Sequence, residues 1–130
     1  MNRKLSVSWL AVFCISVCAW MPEARAAKKP LLVMFEQWGC EWCEVWNEEI
    51  GQTLPKTAEG KCTAFSRIDI HESDSELLKN IKPVVFTPTF VVFEDGKEVG
   101  RIVGYAGEEF FWPQLASHLN KLSQKCELTN

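Results

Sequence analysis

The feature that most restricts the fold is a junction. Leu31-Leu32-Val33-Met34-Phe35 is a continuous apolar run of strand length, the kind buried on both faces of a sheet. Gly39 breaks it and Cys40-Glu41-Trp42-Cys43 follows at once. Trp42, Val45, Trp46, Ile50 and Leu54 then recur as one apolar stripe ending at Pro55, which predicts a helix. The cysteine pair is thereby placed where a strand passes into a helix. Backbone N–H groups at a helix N-terminus stabilise an adjacent anion, so a thiolate at Cys40 is favoured. Cys43 lies one turn inside and is expected to be buried. One attacking sulfur and one held back is the asymmetry thiol–disulfide exchange needs. Two other readings compete. Zinc wants four ligands, usually from two knuckles, and the other candidates, Cys62, Cys126, His71 and His118, are isolated in sequence. A purely structural bridge across a loop this short constrains the unfolded chain very little.

The rest of the chain supplies a frame for the junction. Thr57 to Lys61 reads as a polar loop, and Thr63 to Ile70 as a second strand with loose alternation. Ser73-Asp74-Ser75-Glu76 has the form of a capping box opening a short helix with Leu77, Leu78 and Ile81. Thr89 to Phe93 and Glu98 to Val103 are strands joined across Asp95-Gly96, a tight-turn signal. A last helix runs from about Glu108 to Ser123 with Phe111, Leu115, Leu119 and Leu122 on one side. Pro113 leaves Trp112 as an alternative start. The order βαβαββα predicts an α/β fold, a mixed four-stranded sheet with helices on both faces. Chemistry in open α/β sheets usually sits at the carboxyl ends of the strands, where the cysteine pair lies.

Residues 1–26 are read as a secretory signal peptide rather than part of the domain, which is assigned to 27–130. Arg3 and Lys4 precede the nearly all-apolar Leu5 to Met21, and Ala24-Arg25-Ala26 supplies a small-residue cleavage site. An uncleaved membrane anchor is the alternative, since the run reaches roughly 17 residues. Removing the leader takes away Arg3, Lys4, Arg25 and Glu23, which moves the formal net charge from −3 to −5. An acidic balance without a basic run excludes nucleic acid as an expected partner. Of six cysteines, Cys40, Cys43, Cys62 and Cys126 remain. In an exporting context these can pair, in three possible connectivities. In the expected topology Cys62 and Cys126 fall at the pole opposite the cysteine pair. A structural disulfide between them is sterically conceivable, as are free thiols or a partner cysteine.

The chain resembles the thioredoxin family. Beside the strand–CxxC–helix context, "TPTFVVFEDGKEVGRIVGY", Thr87 to Tyr105, looks like that family's proline loop, hairpin and facing glycine. The resemblance spans about Leu31 to Leu122. It implies that Pro88 is cis and lies against the cysteines. It also implies that the backbone of Thr87 pairs with a bound substrate chain and that Val103 and Gly104 line the same groove. It further implies a thiol–disulfide oxidoreductase in which Cys40 attacks and Cys43 resolves, with no organic cofactor and no metal. A narrower resemblance lies in "LVMFEQWGCEWC", "PKTAEGK", "FTPTFVVFEDG" and "GEEFFW". These look like the SoxS-type exported thioredoxins associated with bacterial sulfur oxidation. That likeness implies a periplasmic, monomeric reductase that keeps cysteines of a sulfur-carrier protein reduced. Such a protein needs an inner-membrane thiol electron donor. A reductase for cytochrome c maturation or the disulfide isomerase pathway is an alternative, as is a non-catalytic binding module.

Three positions depart from the parent pattern. Glu41-Trp42 stands between the cysteines, and Glu41 with Glu44 opposes a thiolate nearby, which leans towards a less oxidising pair. First-turn glutamates also simply favour the helix dipole. Met34 occupies the place of the family's buried acid, so Glu36 is the candidate for proton transfer, with a solvated strand-end role as the alternative. Trp38 and Trp42 flank Cys40 and are expected to form an apolar docking rim, whereas Trp46 is expected in the core. His71 and His118 are read as surface residues.

Overall fold

The computed structural model describes residues 28–72, 76–123 and 126. The leader and Ser73 of the capping box therefore lie outside the described residues. Four strands, β1 (Leu31–Glu36), β2 (Ala64–Asp69), β3 (Thr89–Glu94) and β4 (Lys97–Val103), form one sheet in the order β2-β1-β3-β4. β1 pairs with β2 in parallel, and β3 runs antiparallel to both β1 and β4. β1 and β3 occupy the middle and are buried on both faces, which is why they read as unbroken apolar runs. β2 is an edge strand with no fully buried residue, half of it exposed, which accounts for its loose alternation.

Period-two alternation divides the sheet's contacts into two cores. Leu32, Met34, Phe90, Val92 and Ile102 pack with Trp46, Ile50, Leu54, Phe111, Leu115, Leu119 and Leu122. Val33, Phe35, Val91 and Phe93 face the other way, towards Leu77, Leu78 and Ile81. The first core is built around rings. Trp46 and Phe90 lie 5.0 Å apart, Phe90 and Phe111 4.9 Å, and Trp46 stacks on Phe65 of β2 at 5.6 Å. The helices are α1 (Glu41–Trp46), α2 (Ala58–Cys62), α3 (Glu76–Lys79) and α4 (Glu108–Leu119). The fold is the mixed α/β sheet with helices on both faces that the element order implies.

Four local expectations are corrected. The stripe from Trp42 to Leu54 does not continue as one α-helix: α1 gives way to a π-helical turn, Asn47–Gly51, and a 3-10 turn, Leu54–Lys56. Trp46, Ile50 and Leu54 are spaced by fours, while an α-helix turns in 3.6 residues. A wider i→i+5 turn absorbs that drift, and all three side chains stay buried. The polar stretch read as a loop contains α2. Thr57 caps it by accepting from Gly60 N at 3.1 Å, and a Cβ on Gly60 would stand 1.8 Å from Leu54 O. That glycine serves a close approach, not chain flexibility.

α4 starts at Glu108, as expected, rather than at the alternative Trp112, and carries Pro113 inside it. Pro113 is exposed, so its ring faces solvent, and the Phe111–Leu115–Leu119 stripe holds the helix to the core on the other side. The helix ends at Leu119 rather than Ser123. His118 is half-buried, not a surface residue: its ring fills the space left by Gly100, where a Cβ would meet His118 Nδ1 at 2.2 Å. Its Nε2 lies 3.1 Å from Arg101 O. Burial and the charge of Lys121 push its pKa down.

Candidate active site

Cys40 is the N-cap of α1, placed by Gly39 at φ 74°, a left-handed conformation that glycine adopts without strain. Cys40 Sγ accepts a hydrogen bond from Cys43 N at 3.2 Å, so a helix-end N–H points at this sulfur. Cys40 and Cys43 are joined as a disulfide with Cα atoms 5.2 Å apart. Both are buried, Cys40 at 7% exposure and Cys43 at 3%. Once the bond is opened, a thiolate at Cys40 gains from the N–H and from the helix terminus, whereas Cys43 does not cap the helix.

The segments that lead into β3 and out of β4 are joined to each other. The Thr87–Pro88 peptide is cis and Pro88 is buried. Gly104 N donates to Pro88 O at 2.7 Å, and Tyr105, the next residue, packs in the same buried cluster as Cys40 and Cys43. Thr89 Oγ1 donates to Phe86 O at 2.7 Å and holds the approach to the proline. Among the described residues, Thr87 N–H and C=O make no backbone hydrogen bond. An unpaired peptide unit can accept another chain as a strand.

Three comparisons with known proteins bear on this arrangement. Residues 19–118 match the thioredoxin-like domain family. The chain belongs to the thioredoxin-like family. The crystal structure of the periplasmic thioredoxin SoxS from Paracoccus pantotrophus, in its reduced form, is 41% identical with a TM-score of 0.67, and the match covers 72% of this chain and 98% of that one. Fasciola hepatica thioredoxin is 27% identical with a TM-score of 0.56, over 71% of this chain and 83% of its own. A thioredoxin of Mycobacterium tuberculosis is 25% identical over 115 residues, 87% of this chain and 94% of that protein. This thioredoxin-like protein is a thiol–disulfide oxidoreductase that works through a redox-active disulfide, not a bound cofactor.

Trp38, Trp42 and Val103, which the sequence reading assigns to a substrate groove, are exposed. Other features of this thioredoxin-like site were not legible in sequence: Val85, Phe86 and Phe110 are exposed as well. Val85 and Phe86 immediately precede Thr87, and Phe110 stands in the first turn of α4. The only signal for Val85 and Phe86 was an apolar run, Val84 to Phe86, with no periodicity to say it faces solvent. Tyr105 also escaped notice. Its hydroxyl donates to Glu49 Oε2 at 2.5 Å, tying the π-helical turn to the Gly104 turn. Burial, that hydrogen bond and the charges of Glu49, Glu108 and Glu109 hold its pKa well above the usual phenol range. Met34 is fully buried in the first core. Glu36 engages both its oxygens with Arg67, at 2.9 Å from Nε and in a second contact to Nη2. Arg67 Nη1 also donates to Asn47 Oδ1 at 2.7 Å, and the hydrogen bond and charge of Glu36 raise the guanidinium pKa against the opposing effect of burial.

Cys62 and Cys126 are joined, with Cα atoms 5.7 Å apart. The four cysteines thus divide into two bridges. Among the described residues no group of three or more His, Cys, Asp or Glu is placed to hold a metal ion.

Proposed function

We propose that this protein is an exported, periplasmic reductase that keeps the cysteines of a sulfur-carrier protein reduced. The observation that carries this reading is 41% identity to the periplasmic thioredoxin SoxS across 98% of that chain. The signal-peptide pattern of residues 1–26 supports export. In the reduced protein Cys40 thiolate attacks one sulfur of a substrate disulfide, forming a mixed disulfide and releasing the other substrate sulfur as a thiolate. Cys43, as thiolate, then attacks Cys40 Sγ. The Cys40–Cys43 disulfide forms, the second substrate sulfur leaves, and two electrons and two protons have passed to substrate. A membrane thiol donor returns the pair to the dithiol by the reverse exchange. Thr87 pairs with the substrate backbone, and Trp38, Trp42, Val103 and Gly104 shape the groove. The acid position of the family is apolar here, at Met34, and Glu36 is held by Arg67. Proton transfer to Cys43 through Glu36 therefore requires release of that ion pair.

The test is capture with Cys43→Ser. Without a resolving sulfur, the mixed disulfide at Cys40 accumulates in periplasm and is released by dithiothreitol. Identification of a sulfur-carrier protein as the main adduct supports the assignment. A cytochrome c maturation or isomerase component in its place moves the protein to that pathway, and absence of any Cys40 adduct overturns the reductase reading.

A further inference from the structure

Trp38, two residues before Cys40, is 96% exposed, the barest large apolar side chain among the described residues. It is not idle surface. Its indole forms one wall of an open cleft of about 430 Å³ whose other walls are Asp69, the last residue of β2, and His71 and Glu72 just beyond it. The turn is ordered by its own bonds: His71 N donates to Asp69 Oδ1 at 2.8 Å, Glu72 N to Asp69 O at 3.0 Å, and His71 Nε2 meets Gln37 Oε1 at 3.2 Å. The last contact ties the turn to the residue beside Trp38.

The charge of this cleft is one-sided. Among the described residues neither Asp69 nor Glu72 carries an ion pair. The nearest guanidinium along β2, Arg67, is already engaged by Glu36 and Asn47. Along the chain, residues 30–55 contain no Lys or Arg but carry Glu41, Glu44, Glu48 and Glu49 beside the cysteines. An exposed indole face and unpaired carboxylates in one cleft are complementary to a single kind of side chain, an extended cation that can lie on the ring and reach the acids.

We propose that the Trp38–Asp69–Glu72 cleft receives a Lys or Arg side chain of the substrate segment, so that the protein selects disulfides flanked by a basic residue. This rests on the reductase reading and names its substrate class. The selection acts before chemistry. The cation seats beside Trp38 and fixes the register in which the neighbouring substrate sulfur approaches Cys40.

Single-turnover reduction by the dithiol form of the full protein tests it, using disulfide peptides identical except for a flanking Lys, Gln or Glu. The Lys peptide is expected to react about tenfold faster than the Glu peptide at low salt, the combined effect of one exposed ion pair and one exposed cation–π contact. Glu72→Gln and Asp69→Asn each remove about twofold of that preference, leave the Gln-peptide rate within twofold, and keep the turn's hydrogen-bond acceptors. An equal rate for all three peptides, or a Lys-over-Glu preference that neither Glu72→Gln nor Asp69→Asn reduces, overturns the proposal. If none of the peptides is reduced, the reductase reading itself fails. The cleft is then judged by titrating a cysteine-free Lys peptide while following the Trp38 indole N–H resonance: a saturable shift lost in Glu72→Gln supports it, and no shift overturns it.

Discussion

The second disulfide yields the prediction whose size follows most directly from the structure. Cys62 closes α2 and Cys126 follows α4, a separation of 64 residues. In the chain-entropy treatment a loop of that length removes enough freedom from the unfolded chain to stabilise the fold by about 4 kcal/mol. The active-site bridge spans a separation of 3, and the same relation assigns it only about 2 kcal/mol. Total stability of a small domain is on the order of 5–15 kcal/mol, so the long bridge is the larger share of it. Cys62→Ala/Cys126→Ala should therefore lower the urea midpoint by roughly 1.5–4 M for m-values of about 1–3 kcal/mol/M. It should also raise m, because the unbridged denatured chain exposes more surface. Reducing Cys40–Cys43 alone, with Cys62 and Cys126 intact, should move the midpoint by about half as much. Equilibrium urea melts followed by tryptophan fluorescence make the measurement, with alkylation and peptide mapping to establish which bridge is open. Equal midpoints for the double variant and the parent, or native-state alkylation of Cys62 and Cys126, would refute the reasoning.

Two further outcomes concern single residues. Because the folded Tyr105 pKa is raised, its contribution is full below the unfolded value of about 10 and is lost as pH rises beyond it. The parent should lose stability between pH 9.5 and 11 more steeply than Tyr105→Phe, and coincident alkaline limbs in urea melts would show that the phenol is not the group responsible. At neutral pH, Tyr105→Phe should cost about 1 kcal/mol for its hydrogen bond to Glu49. Gly60→Ala drives a methyl group into Leu54 O, a backbone atom that cannot rotate away, and should destabilise by about 1–3 kcal/mol or more. A neutral result in thermal melts would mean that the Leu54–Gly60 approach is looser than the structure shows.

Much of the architecture was legible because its signals are local. The apolar runs of β1 and β3, the Asp95-Gly96 turn and the Phe111–Leu115–Leu119 stripe each follow from the period and burial of their own residues. Asp95 and Gly96 do take positive φ, 49° and 77°, as a two-residue hairpin turn requires. Elements set by neighbours were not legible. α2 looked like a loop because Gly60 reads as a breaker until Leu54 O is seen against it. The π-helical turn is the answer to a spacing of four that α geometry alone cannot keep in the core. His118 looked like a surface residue because nothing local says that Gly100, on strand β4, leaves a gap for its ring.

The site divides in the same way. The amino-acid order by itself determines that two cysteines one turn apart stand at a strand-to-helix junction, and that a Thr-Pro step follows some 45 residues later. Those are covalent and local facts, and with the family resemblance they identify a redox centre. Only the tertiary structure brings Gly104 N onto Pro88 O, pairs Glu36 with Arg67, sets Glu49 on the Tyr105 hydroxyl, and leaves Trp38 bare above Asp69 and Glu72. Each of those depends on residues at least 16 positions apart meeting across packed elements. Their sequence positions carry no trace of the contact, because burial and charge pairing are set by what the fold places opposite, not by the neighbours along the chain.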